Sequence, residues 1–165
     1  MQTTRNALLR SSQGPTGSLG GLGLRFMISG VQSGGRFALI EQPLAPLALA
    51  APLHRHSRED EFSFVLEGRI GALLGDEVVF ADPGDLIFKP RGQWHTYWNA
   101  IDAPSRLLET ISPPVFEGYF TELIALFAGG RPEPAVAAEV AARYGLELDF
   151  TSIPRLIADH GVRFG

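Results

Sequence analysis

The 165-residue sequence contains no cysteine, which rules out disulfide bonds and thiolate metal ligands at once. Basic charge is also scarce: 14 Lys and Arg face 18 Asp and Glu, for a formal net charge of −4, and the basic residues are scattered. No cluster supplies the electrostatic footprint that nucleic-acid binding requires. An uninterrupted apolar run of about 18 residues is missing too, so no membrane-crossing helix and no membrane partner are expected. Near the start only Ala7, Leu8 and Leu9 form an apolar run, against the roughly 7–15 residues of a secretory leader core. The expected location is therefore cytoplasmic.

What is present is apolar and aromatic. Hydrophobic residues make up 45 % of the chain, with 11 Phe and 2 Trp, enough to build a real core. The length suits one domain. Glycine (19) and proline (12) punctuate residues 14–114 at short intervals. Between them lie short strand-like runs at 24–29, 37–42, 61–66, 69–74, 77–80, 85–90, 95–99 and 106–111, the pattern of a sandwich or barrel. Gly75-Asp76 is a two-residue hairpin signal. Residues 13–23, rich in glycine, read as a loop or flexible arm, and no internal repeat is evident.

From residue 113 the period changes. Phe116, Phe120, Leu123 and Phe127 recur at i, i+4, i+7 and i+11, an amphipathic helix stopped by Gly129-Gly130. A second helix is expected over 134–144, with proline in its first turn and Gly145 just past its end. Ser152 reads as the N-cap of a short third helix ending near Gly161. The plan is a 1–23 arm, a 24–112 β-barrel and a 113–165 helical extension.

Three of the four histidines fall in two short segments. His54 and His56 are two apart, so on an extended chain they share a face. Glu61 opens a strand whose alternation puts Glu61, Ser63 and Val65 on one face and Phe62, Phe64 and Leu66 on the other. In the second segment His95, Tyr97 and Asn99 share a face, opposite Trp94, Thr96 and Trp98. An inward carboxylate such as Glu61 is costly unless compensated. Neutral imidazoles and a carboxylate around a dication are one arrangement that meets that cost. His160, near the end of the last expected helix, reads as a surface residue.

The two segments resemble the paired motifs of the cupin superfamily. H-x-H-x4-E-x6-G falls on His54, His56, Glu61 and Gly68; G-x5-P-x-G-x2-H-x3-N falls on Gly84, Pro90, Gly92, His95 and Asn99. One departure is Ala48, where the first motif opens with glycine. The resemblance implies an all-β jelly-roll barrel that holds one divalent transition metal on His54, His56, Glu61 and His95. This donor set suits Fe, Mn, Ni, Cu or Zn. In an octahedral ion it leaves two positions open. Ser63, Tyr97 and Asn99, on the lumen face by parity, are candidate contacts for a small-molecule substrate.

The layout, with Phe116 to Phe120 opening the first helix, is similar to small bacterial cupins related to quercetin dioxygenases. That likeness implies oxygenation of a small oxygen-rich substrate, flavonol- or catechol-like, with Glu61 as ligand and proton acceptor. Two other classes fit the same ligands: a sugar or keto-acid isomerase or epimerase using the metal as a Lewis acid, and a non-catalytic binding cupin. The apolar outer face carrying Phe62, Phe64, Leu66, Trp94 and Trp98 needs a cover, either the helical tail or the second subunit of a homodimer.

Overall fold

The computed structural model describes residues 8–165. The Ala7 end of the short apolar run lies outside the described residues. The chain forms strands β1 (Thr16–Leu19), β2 (Leu22–Ile28), β3 (Ala38–Leu44), β4 (Leu53–His56), β5 (Asp60–Glu67), β6 (Ile70–Leu74), β7 (Glu77–Ala81), β8 (Leu86–Lys89), β9 (His95–Asn99) and β10 (Ser105–Ser112). A 3-10 turn at Pro114–Phe116 leads into α1 (Glu117–Phe127) and α2 (Pro134–Arg143). Then come β11 (Leu146–Asp149), a second 3-10 turn and α3 (Ile153–His160). Among the described residues no helix is long and apolar enough to cross a membrane.

Two antiparallel sheets face each other, with strand orders β1-β2-β3-β10-β5-β8 and β11-β4-β9-β6-β7. Period-two alternation sets what each strand buries: in β10, Ser105, Leu107, Glu109 and Ile111 point inward and their neighbours do not. Between the sheets lie Ile40, Val65, Ile70, Leu107 and Ile111, all fully buried. Gly68, in the turn after β5, has φ of +80°, and a Cβ there would sit 2.1 Å from Ser105 Oγ, so the motif glycine is required twice over. Ala48, at the motif's departure, follows Leu47 at φ of +57° and bridges to Arg163 near the C-terminus.

The expected strands and all three helices are present, with three corrections. Residues 13–23 are not a free arm, because β1 and β2 form a hairpin within and beyond them. Glycine there serves packing: a Cβ on Gly17 would lie 2.3 Å from Ile124 of α1. The extension is not purely helical, since β11 adds to the edge of β4, pairing Leu146 with His56 and Leu148 with His54. Ser152 precedes α3 without capping it; its Oγ donates to the Asp149 carbonyl and accepts from the Leu53 amide.

The tail supplies half of the expected cover. Trp98 on the outer face of β9 is buried at 1 % exposure, packed with Leu49, Leu73, Leu156 and Val162. His160 is no idle surface residue, because its ring stacks on Trp98 at 4.1 Å. Burial of a side chain of that size stabilises by on the order of 3 kcal/mol. The other half of the face stays open. Phe64, Leu86 and Phe88 are 41 %, 58 % and 49 % exposed beside Phe62, and β8 is the free edge of its sheet.

Candidate metal centre

The four ligand candidates meet inside the barrel. His54 and His56 come from β4, whose inward parity buries them while Leu53 and Arg55 stay half-buried. Strand pairing sets His54 opposite His95 on β9. Glu61 enters from the facing sheet on β5. One ligand atom from each of the four lies within 4.8 Å of the others, and all four residues are buried.

Hydrogen bonding aims the nitrogens. The His54 Nδ1–H donates to the Pro52 carbonyl at 2.8 Å and the His95 Nδ1–H to the Gln93 carbonyl at 3.0 Å. Each bond fixes the tautomer and turns a bare Nε2 toward the centre. His95 Nε2 lies 3.1 Å from Glu61 Oε2, and His56 Nε2 lies 3.5 Å from Glu61 Oε1. Both His56 nitrogens are buried without a hydrogen-bond partner among the described residues. Its Nδ1 faces the carboxylate of Glu59 at 3.5 Å, which is fully buried and equally unpartnered. An ion on His56 Nε2 would satisfy that nitrogen and polarise the Nδ1–H toward Glu59, the carboxylate–histidine–metal relay of many metal sites. The residues fit a metal.

Charge leads to the same conclusion. Burial, reinforced by His95 and His56, holds His54 well below its ordinary range, and burial also lowers His95, so both imidazoles are neutral and ready to ligate. Burial pushes the Glu61 carboxyl up, but Lys89 and the imidazoles outweigh it and keep Glu61 ionised. Lys89 is the only lysine in the sequence, and it is buried in the barrel. Its Nζ lies 3.1 Å from Glu61 Oε2 and donates to Glu109 Oε2 at 3.0 Å. Burial pulls Lys89 down, but Glu109 and Glu61 outweigh it and hold the ammonium above its ordinary range, so it stays charged. Burial lifts Glu109 to about 7, against the pull of Lys89. Glu61 and Glu109 thus share one buried ammonium, and a dication would add positive charge that Glu61 could pair with.

The candidate substrate contacts divide. Tyr97 lines the pocket beside the ligands, its hydroxyl donating to Gln42 Oε1 at 2.5 Å. Ser63 is turned away, donating to Glu109 Oε2 at 2.6 Å. Asn99 is a structural bracket: Nδ2 donates to the Ala45 and Ala103 carbonyls, and Oδ1 accepts from the Ile101 amide and Ser105 Oγ. Neither Ser63 nor Asn99 lines the pocket, because each has committed its polar atoms to protein. Lys89 and Glu109 went unread in the sequence, whereas Glu59 and Asp60 were the alternatives to Glu61 as the carboxylate ligand. A lone lysine on a buried strand and a glutamate at inward parity in β10 were the signals available.

The pocket has a volume of about 280 Å³. His54 and Glu61 form part of its wall, together with Phe116, Tyr119, Phe120 and Leu123 of the tail. Phe116 also sets its ring edge-on against His56 at 4.4 Å. The ligands are thus reached through a mostly apolar chamber roofed by the C-terminal extension.

A family model described as a cupin domain matches residues 41–111. No curated protein matches the chain. Among solved structures, a predicted oxalate decarboxylase from Thermotoga maritima superimposes with a TM-score of 0.59 at 20 % identity, over 65 % of this chain and 99 % of that one. KdgF from a Halomonas species gives 0.58 at 16 %, over 66 % and 94 %. A sugar phosphate isomerase of the cupin superfamily from Silicibacter pomeroyi gives 0.57 at 24 %, over 64 % and 75 %. These likenesses are ones of fold, and the barrel is a cupin fold.

Proposed function

We propose that this cupin barrel is a metal-dependent oxygenase acting on a small, oxygen-rich substrate of flavonol or catechol type. The observation that carries the reading is the opening of His54 and Glu61, two of four convergent ligands, onto a mostly apolar pocket. A divalent ion on His54, His56, Glu61 and His95 supplies Lewis acidity toward a substrate hydroxyl and, if redox-active, a route for electrons to dioxygen. The chain's own residues do the rest. Glu61, held ionised by Lys89, stands ready to accept the hydroxyl proton. Phe116, Phe120 and Leu123 exclude water and offer a flat ring a packing surface.

Elemental analysis of protein purified without added metal, joined to oxygen-electrode assays on flavonols and catechols, tests the reading. About one Fe, Mn, Ni or Cu per chain with oxygen uptake, lost in Glu61→Ala, is expected. Bound metal with no oxygen uptake would overturn the oxygenase reading and favour isomerisation or ligand binding.

The homodimer is proposed on the open outer face, where Phe62, Phe64, Leu86 and Phe88 form an apolar patch at the free edge of β8. Phe62 and Phe88 already stack at 5.0 Å, offering a preformed aromatic anchor. Sedimentation at micromolar concentration should give a dimer that becomes monomeric in Phe88→Glu with its circular dichroism intact. A monomeric parent protein would remove the proposal.

A further inference from the structure

Most of the residues lining the pocket belong to the C-terminal extension, beyond the 41–111 match. Apart from the two ligands that open onto it, its polar side chains are Gln42, Tyr97, Tyr119 and Arg131. Tyr97 is spent on Gln42 Oε1, which leaves the Gln42 amide nitrogen without a partner among the described residues. The Tyr119 hydroxyl is also without one, and burial alone pushes it above its ordinary range. Arg131, in the loop between α1 and α2, has no acidic partner among the described residues. Its guanidinium rests 4.2 Å over Phe164 and 5.6 Å over Phe127. Aromatic rings fix its position, and the guanidinium of this exposed residue is left without an acidic side-chain partner.

The free groups therefore make a one-sided set: an amide N–H pair, a phenol O–H and a guanidinium, with no free carboxylate or carbonyl side chain among them. Such a wall binds acceptors, and Arg131 makes it favour an anion with two oxygens in one plane. A sugar, with as many donors as acceptors, finds few partners on the aromatic walls. We infer that the pocket takes a substrate with an aromatic or acyl body and a carboxylate, the body lying against Phe116, Tyr119 and Phe120 and the carboxylate on Arg131. This rests on the reading of the pocket given above and narrows its substrate class. The oxygen-bearing head faces His54 and Glu61, and the acid end faces the tail.

The test is binding of ω-phenylalkanoates with two to five methylenes, each against its own primary amide, to the full chain by calorimetry, metal-loaded and after chelation. The best-fitting carboxylate should bind about tenfold tighter than its amide in both states, as a charge-assisted pair requires. In Arg131→Gln the ratio should fall to about one with the melting temperature unchanged, and Arg131→Lys should restore part of it. Equal binding of acid and amide, no binding of either, or a ratio that survives Arg131→Gln would overturn the inference. So would a ratio that vanishes when folded protein loses its metal, since the carboxylate would then belong to the ion. Missing oxygen uptake defeats only the oxygenase reading and leaves this ratio as it stands.

Discussion

His56→Ala protein is expected to purify with its barrel folded and its metal affinity lowered at least about 100-fold, beyond the 10–100-fold typical of losing an outer partner. His56 is the most exacting ligand to test, because both of its nitrogens are buried and otherwise unpartnered. The fold should persist, since β4 is held through its backbone by β11, and the Gly92 amide donates to the His56 carbonyl at 2.7 Å whatever the side chain. Glu59→Gln is the companion variant. It keeps the imidazole and neutralises the carboxylate 3.5 Å from Nδ1, so a 10–100-fold loss of affinity is expected. Metal content by mass spectrometry, with circular dichroism as the folding control, reads both. Full occupancy in His56→Ala would refute the ligand set, and unchanged affinity in Glu59→Gln would remove Glu59 from it.

Lys89→Met should be the most destabilising single substitution in the barrel. It strips Glu61 and Glu109 of the one buried cation they share. Breaking a buried pair from one side costs roughly 3–5 kcal/mol. That corresponds to a fall in melting temperature on the order of 10 °C for a chain of this length. The deficit should shrink when Glu109 is also replaced by Gln, and shrink again on adding metal, which pairs Glu61. It should also depend on pH in a fixed direction. Glu109 already titrates near 7 in the folded protein, and without Lys89 its folded value rises further above the unfolded one. The folded variant then binds more protons than the unfolded chain, so stability is lost as pH rises from about 4.5 upward. The deficit should thus be smaller at pH 5 than at pH 8. Urea titrations at the two values decide it, and a loss below about 1 kcal/mol at both would show that the network is not holding the barrel together.

His54, His56, Glu61 and His95 were legible because their spacing resembles a known pair of motifs, and the strand period of two gives His54 and His56 a common face, which the structure turns inward. The helix stripe from Phe116 to Phe127 was legible from its period of 3.6. The β1–β2 hairpin was hidden because its glycines resemble those of a loop, and only the approach of Ile124 shows why Gly17 lacks a side chain. Ser63 and Asn99 lie on the inward face that alternation predicts, with their polar atoms bonded to protein groups. Parity says which way a side chain points; it does not say whether a neighbour has already taken its hydrogen bonds.

What the sequence determined by itself is therefore the local part: strands, helices, and a set of inward imidazoles with one carboxylate that calls for a cation. What only the tertiary structure decided is everything that joins distant segments. Lys89 meets Glu109 across 20 residues, β11 clasps the strand bearing His54 and His56, and the tail closes a pocket with Arg131 on its wall. No local periodicity encodes those meetings. They arise because buried charge must find a partner and apolar surface a cover, and the folded barrel sets which ones lie within reach.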